Sequence, residues 1–167
     1  MSFQEDFIFL REHVFEVCGF KYSQPETEDE SNEYHAGSFK VQGKLVRYRQ
    51  AKITPTKVGQ FVTIWKRTAH GPIQPYDSSD RIDLFVVAVR SKNCFGQFVF
   101  PKTELIKQGV LSVKGKGGKR ALRVYPPWDK AESKQAEKTQ TWQLKFYVEI
   151  PKDNPLDTRK FKSLYLD

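Results

Sequence analysis

The chain has 167 residues, of which 13 are Phe, 7 Tyr and 3 Trp, with 28 basic against 20 acidic side chains. That length and aromatic content provide a buried core for a single domain over 1–167 and exclude a disordered chain. No apolar run approaches a bilayer-spanning length and the polar N-terminus has no signal-peptide pattern, so no membrane insertion is expected and the location read is cytoplasmic.

The net charge of +8 is unevenly spread. Residues 1–33 hold two bases and nine acids, an acidic N-terminal helix and loop at −7; residues 34–167 form a basic body at +15. A body of that charge attracts polyanions and speeds their association. Cys18 and Cys94 are the two cysteines, with no spacing to each other or to histidine that suits zinc, so both are expected as free thiols.

Phe3, Phe7, Leu10, Val14 and Cys18 recur at helical spacing, with Phe15 and Val17 added to the face, Ser2 as cap and Gly19 as stop. Residues 21–35 read as an acidic loop with a short helix near Glu28 to Tyr34. Ser38 to Val41 and Leu45 to Ile53 predict a hairpin around Gly43, and Gln60 to Arg67 a third strand after the Pro55 turn. A loop is expected over 69–80, then two strands, IDLFVVAV (82–89) and FGQFVFP (95–101). The first of these is nearly continuous in apolar residues, the pattern of a strand covered on both faces.

Short helical turns are expected at Thr103 to Ile106, a basic glycine-rich loop at 114–120, and a short strand at 120–125. A second helix is predicted from Lys130 to about Tyr147, capped by Asp129 or Ser133. Its end is ambiguous, because Leu144, Phe146 and Val148 also alternate. The tail after Pro151 predicts a short helix or a surface wrap. This order predicts a mixed α/β (α+β) domain with a central mixed sheet flanked by helices.

The stretch RYRQAKITPTKVGQFVTIWKR (47–67) carries the sharpest functional signal. Between Ala36 and Pro75 stand eight bases and no acid, where a solvated face ordinarily mixes both signs. Strand alternation puts Arg47 and Arg49 on one side about 7 Å apart, a spacing that matches successive phosphates. The guanidinium fork binds phosphate oxygens in bidentate fashion. The stretch is either a plain exposed face or a polyanion surface, and the missing acids favour the latter. Lys114 to Arg123 is a second basic site whose glycines let backbone N–H groups approach a phosphate, although it lacks P-loop spacing. Trp65, Tyr125, Trp128 and Trp142 are stacking candidates, with Trp128 the best exposed.

Carboxylates offer a different chemistry. A metal-dependent nuclease places an acid on one strand and Asp/Glu-x-Lys on the next, to bind a divalent ion and orient water. Asp83 stands at the start of the apolar strand, Gln97 stands where the second acid belongs on the next, and Lys102 and Glu33 are further candidate contributors. Asp83 has a structural alternative, as a strand-start cap or ion-pair partner. His13, His35 and His70 form no zinc motif.

Five segments in order, FKVQGKLVRYRQAKITPTKVGQFVTIWKR, GPIQPYDSSDRIDLFVV, FGQFVFPK, GKRALRVYPPW and KQAEKTQTWQ, resemble the bacterial MepB family, named for a protein encoded beside a multidrug efflux pump. The resemblance covers about Glu33 to Tyr147. It implies a fold similar to type II restriction endonucleases and a nucleic-acid-binding role, with a link to multidrug resistance. The Asp/Glu-x-Lys element is not intact, so the resemblance does not carry nuclease activity with it. The combined expectation is a nucleic-acid-binding protein of weak sequence specificity, with DNA ahead of RNA as partner. Arg47, Arg49, Lys52, Lys57, Lys66, Arg67, Lys119, Arg120 and Arg123 would meet phosphates, while Thr54, Gln140 and Gln143 add hydrogen bonds. No cofactor is expected unless the protein is a nuclease, which would need Mg or Mn at Asp83. A third reading is a regulatory or adaptor protein, linked to multidrug efflux, whose basic face meets an acidic protein partner, with the acidic 26–33 segment as a mask for that face within the same molecule.

Overall fold

A computed structural model describes residues 2–67 and 71–167, so the start of the loop expected at 69–80, with His70, lies outside the described residues. The N-terminal run forms one helix in three stretches: α1 (Phe3–Leu10), a π-helical turn (Arg11–Phe15) and α2 (Glu16–Cys18). Ser2 caps it by accepting from Glu5 N, and Gly19 ends it at φ +72°. The wider π turn lets the adjacent Val14 and Phe15 both point inward. Val17 is exposed, contrary to expectation, because it lies on the far side of the helix.

The principal sheet has six strands in the order β1-β2-β3-β8-β9-β11. These are β1 (Glu26–Thr27), β2 (Gly37–Val41), β3 (Lys44–Gln50), β8 (Leu84–Arg90), β9 (Phe95–Pro101) and β11 (Tyr147–Glu149). The predicted β2–β3 hairpin is present, with Phe39 opposite Val46. β3 and β8 run parallel while the other pairs run antiparallel, so the sheet is mixed. A parallel pair needs a crossover connection. Here the connection builds β4 (Lys52–Ile53), β5 (Gln60–Thr63), β6 (Trp65–Arg67) and β7 (Ile73–Pro75) instead of the usual helix.

Both long strands expected near residue 50 are therefore broken. The strand predicted to reach Ile53 divides at Ala51, and the one over 60–67 divides at Ile64. The fragments pair elsewhere: β4 and β5 join β10 (Ala121–Val124) in a three-stranded sheet, while β6 pairs with β7. The core explains the breaks, since Ala51 and Ile64 turn inward to a common cluster with Val62, Phe85 and Val87.

β8 is central, as its continuous apolar run predicts. Leu84, Val86 and Ala88 face one cluster, with the N-terminal helix and α5 (Thr158–Leu166). Phe85, Val87 and Val89 face the other, beneath the small sheets, α3 (Lys102–Lys107) and α4 (Lys134–Leu144). Each fully buried large side chain here contributes about 1.5–3 kcal/mol. Ser133 is the cap of α4, and the ambiguous end beyond Leu144 becomes β11, with Val148 buried opposite Gln97. The tail is a helix anchored by Phe161 and Tyr165. Asp6 is buried and ties α1 to the body, accepting from the Tyr48 hydroxyl at 3.1 Å and contacting His35 Nδ1 at 2.7 Å. Among the described residues, no helix is long and apolar enough to cross a membrane.

Candidate nucleic-acid interface

Arg47 and Arg49 do share one side of β3, but Arg49 is withdrawn from solvent and Arg47 largely so. Both turn toward the second core cluster, where Glu28 bridges them at 2.5 and 2.8 Å. Arg49 is 0% exposed; it also donates to the Tyr48 carbonyl at 2.9 Å and the Tyr76 hydroxyl at 3.3 Å. The Arg47 guanidinium lies over the Tyr76 ring at 5.0 Å and that of Arg49 over Phe85 at 5.3 Å. Burial raises the Tyr76 hydroxyl above its ordinary pKa, against the pull of Arg49. The expected phosphate-facing pair is thus an internal ion cluster. Its acid comes from outside the acid-free stretch, which is why the local sequence could not reveal it.

Other expected phosphate contacts are likewise occupied. Lys52 Nζ is 3.6 Å from Glu33, and Lys66 pairs with Asp80 at 2.7 Å. Arg123 donates to Thr54 Oγ1 at 2.9 Å and to the carbonyls of Val58 and Gly59, bracing the Pro55 turn. Gln140 donates to the carbonyls of Tyr125, Pro126 and Asp129. The buried Gln143 accepts from Tyr125 N and donates to the Arg123 carbonyl. Both glutamines hold the Pro126-Pro127 segment against α4 and are internal fasteners. Trp128 is half-buried against the core with its ring edge-on to Tyr147, and Trp142 packs on Phe100.

Of the expected phosphate contacts, Lys57, Lys119 and Arg120 stand beside β10 without a carboxylate partner among the described residues. Two adjoining grooves, of about 900 and about 300 Å³, share Lys119 and Ala121. The larger is walled by Lys66, the β7 strand, Asp77, the glycine-rich loop and Arg120. The smaller is walled by Lys57, Arg123, Tyr125 and the first turns of α4 from Ser133. Lys57, Lys119 and Arg120 are exposed, and among the described residues no carboxylate reaches salt-bridge distance of them. Arg67 is also exposed, its guanidinium 5.6 Å from the Trp65 ring.

The glycine-rich loop is ordered by an acid that sequence reasoning missed. Val113 and Lys116 exchange backbone hydrogen bonds across Lys114 and Gly115, both at positive φ, which makes a two-residue hairpin tip. The Asp77 carboxylate accepts from Ser112 Oγ at 2.7 Å, Gly115 N at 3.0 Å and both N and Oγ of Ser79. Those bonds, the Ser112 hydroxyl foremost, hold the Asp77 carboxyl well below the usual carboxylate range. Gly118 closes the wall: a Cβ there would stand 2.7 Å from the Pro75 Cβ and 2.8 Å from Ser112 N, at φ +84°. The signal available was YDSSD, an Asp-Ser turn pattern.

The carboxylate set proposed for metal chemistry does not assemble. Asp83 Oδ2 accepts from Leu45 N at 2.8 Å, a strand-start fastener. Gln97 pairs with Ala88, about 17 Å along β8 from Asp83 at the rise of an extended strand. It is fully buried on the α5 face, where Tyr165 donates to its Oε1 at 2.7 Å. Lys102 Nζ donates to the Asp80 carbonyl, and Glu33 is exposed beside Lys52. Among the described residues, no three His, Cys, Asp or Glu side chains converge as metal ligands. Gln97 is therefore a core residue. Tyr165→Phe should cost about 1–3 kcal/mol by leaving its amide oxygen unpaired, read as a lower urea midpoint.

The crystal structure of MepB superposes with a TM-score of 0.77 at 30% identity, covering 89% of this chain and 98% of that one. A bacterial homing endonuclease, I-Ssp6803I, gives a TM-score of 0.45 at 17% identity, over 83% of this chain and 89% of its own. No curated protein matches the sequence. The family model described as MepB-like matches residues 28–149, from the bridging Glu28 through β11, and the chain belongs to that family.

Proposed function

We propose that this MepB-like protein is a cytoplasmic nucleic-acid-binding protein that holds the phosphate backbone in the groove along β10. Lys57, Lys119 and Arg120 on the groove walls and the exposed Arg67, next to the lining Lys66, are its principal phosphate contacts, with Lys66 and Arg123 also on the walls. What carries the reading is the continuity of the two grooves through Lys119, with exposed cations along both. Such contacts position a backbone without reading bases, so sequence preference is weak, with DNA ahead of RNA as the polymer. Tyr125 in the smaller groove is the stacking surface, in place of Trp128. Hydrolysis is not part of the reading, because Asp83, Gln97, Lys102 and Glu33 each serve a separate local contact.

The test is an electrophoretic shift series over salt with single- and double-stranded DNA and RNA probes, with and without a divalent ion. Four phosphate contacts on duplex DNA predict log K falling against log salt with a slope of roughly −4. Affinity unchanged between about 50 and about 200 mM salt would refute the reading.

A further inference from the structure

The Glu28 cluster is unbalanced in charge. Two guanidinium groups share one carboxylate, and among the described residues no second acid reaches either. The cluster therefore carries a net +1 inside the core, offset in part by the π faces of Tyr76 and Phe85. Its donors are not used up. The Nε atoms of both Arg47 and Arg49 are buried without a hydrogen-bond partner, as is uncommon for a native buried donor. Arg47 is 25% exposed, so the cluster opens to solvent on that side, whereas Arg49 is fully enclosed.

The group that fills the cluster comes from a short connecting segment, its side chain 12% exposed and its N–H donating to the Ala36 carbonyl at 3.0 Å. Glu28 follows the two-residue strand β1 and precedes a single 3-10 turn (Asn32–Tyr34). Ser31 and His35 on either side of that turn adopt positive φ, at 60° and 51°, which is strained for residues with a side chain.

We propose that Arg47 and Arg49 form a site for a phosphate-monoester dianion, which Glu28 occupies as a built-in competitor. Two arginines that converge on one carboxylate, one over Tyr76 and one over Phe85, fit a tetrahedral oxyanion, whose extra oxygen supplies an acceptor for the donors that a planar carboxylate leaves idle. Charge gives the same ranking. With Glu28 in place the cluster is +1; with Gln there it is +2; with a dianion bound to the Gln variant it is neutral. A phosphodiester carries one negative charge and balances the site no better than Glu28 does. The ligand is therefore a terminal or free phosphate, distinct from the backbone in the groove along β10. The inference does not depend on that groove.

The experiment is thermal unfolding of the full chain with inorganic phosphate, against chloride at equal ionic strength. Glu28→Gln should melt below the native chain in chloride and gain about 3–8 °C in phosphate, saturably, with the native chain gaining far less. Adding Arg47→Gln to Glu28→Gln should abolish the gain. Should Glu28→Gln not fold, Glu28→Asp, which keeps the charge but withdraws it from the guanidinium groups, should show a smaller gain of the same kind. No saturable gain in any Glu28 variant, or an equal gain without Arg47, overturns the proposal. Short oligonucleotides with a 5′-phosphate or a 5′-hydroxyl then separate sources: a 5′-phosphate preference in Glu28→Gln marks a nucleic-acid end, and a response to inorganic phosphate alone marks a small phosphorylated ligand. Lys119→Gln with Arg120→Gln, which disables the groove, should leave the phosphate gain unchanged.

Discussion

Glu28→Ala is expected to lower the unfolding free energy by about 3–5 kcal/mol, and Arg49→Met by only about 1–3 kcal/mol. Packing alone would rank them the other way, because Arg49 is fully enclosed and Glu28 is 12% exposed. The difference comes from charge. Removing Glu28 leaves two guanidinium groups facing each other in low dielectric with nothing to offset them. Removing Arg49 leaves Glu28 with Arg47 as a one-to-one pair, and the loss is one of the two contacts to Glu28 with the hydrogen bonds to the Tyr48 carbonyl and the Tyr76 hydroxyl. Against a stability of about 5–15 kcal/mol either change is measurable by urea unfolding. Equal costs, or a larger cost for Arg49→Met, would show that packing and not charge balance dominates the cluster.

Lys119→Gln combined with Arg120→Gln is expected to weaken nucleic-acid binding roughly fifty-fold near 0.1 M salt. Each phosphate contact contributes about 0.9 to the salt slope, so two lost contacts reduce its magnitude by about 2. Both residues are exposed, and Lys119 is common to the two grooves, so the pair interrupts the cationic path at its middle. The loss should be similar for all probe sequences, because backbone contacts carry no base information. Lys162→Gln, on α5 across the principal sheet, is the control for general charge and should shift neither slope nor affinity detectably. A loss of equal size from Lys162→Gln would mean that binding follows net charge and not the groove.

Much of the local structure was legible in the chain itself. The helical spacing of Phe3, Phe7, Leu10, Val14 and Cys18, the hairpin around Gly43 and the continuous run of β8 all express periodicities set by neighbours in sequence. The asymmetry of charge and the basic glycine-rich loop were equally plain. What sequence alone could not determine was which base meets which acid. Arg47 and Arg49 stood in an acid-free stretch, yet β1 and the turn after it bring Glu28 over them from nineteen residues upstream of Arg47. Gln97 occupied the place of a metal ligand by strand order, but the register of β9 on β8 and the docking of α5 made it a partner of Tyr165. Periodicity assigns a face to each side chain and says nothing of what covers that face. Only the tertiary structure decided the covering: it enclosed Arg49, covered most of Arg47, and left Lys57, Lys119 and Arg120 exposed along β10. Burial and ion pairing are properties of contacts distant in sequence, whereas element type and net charge belong to the chain.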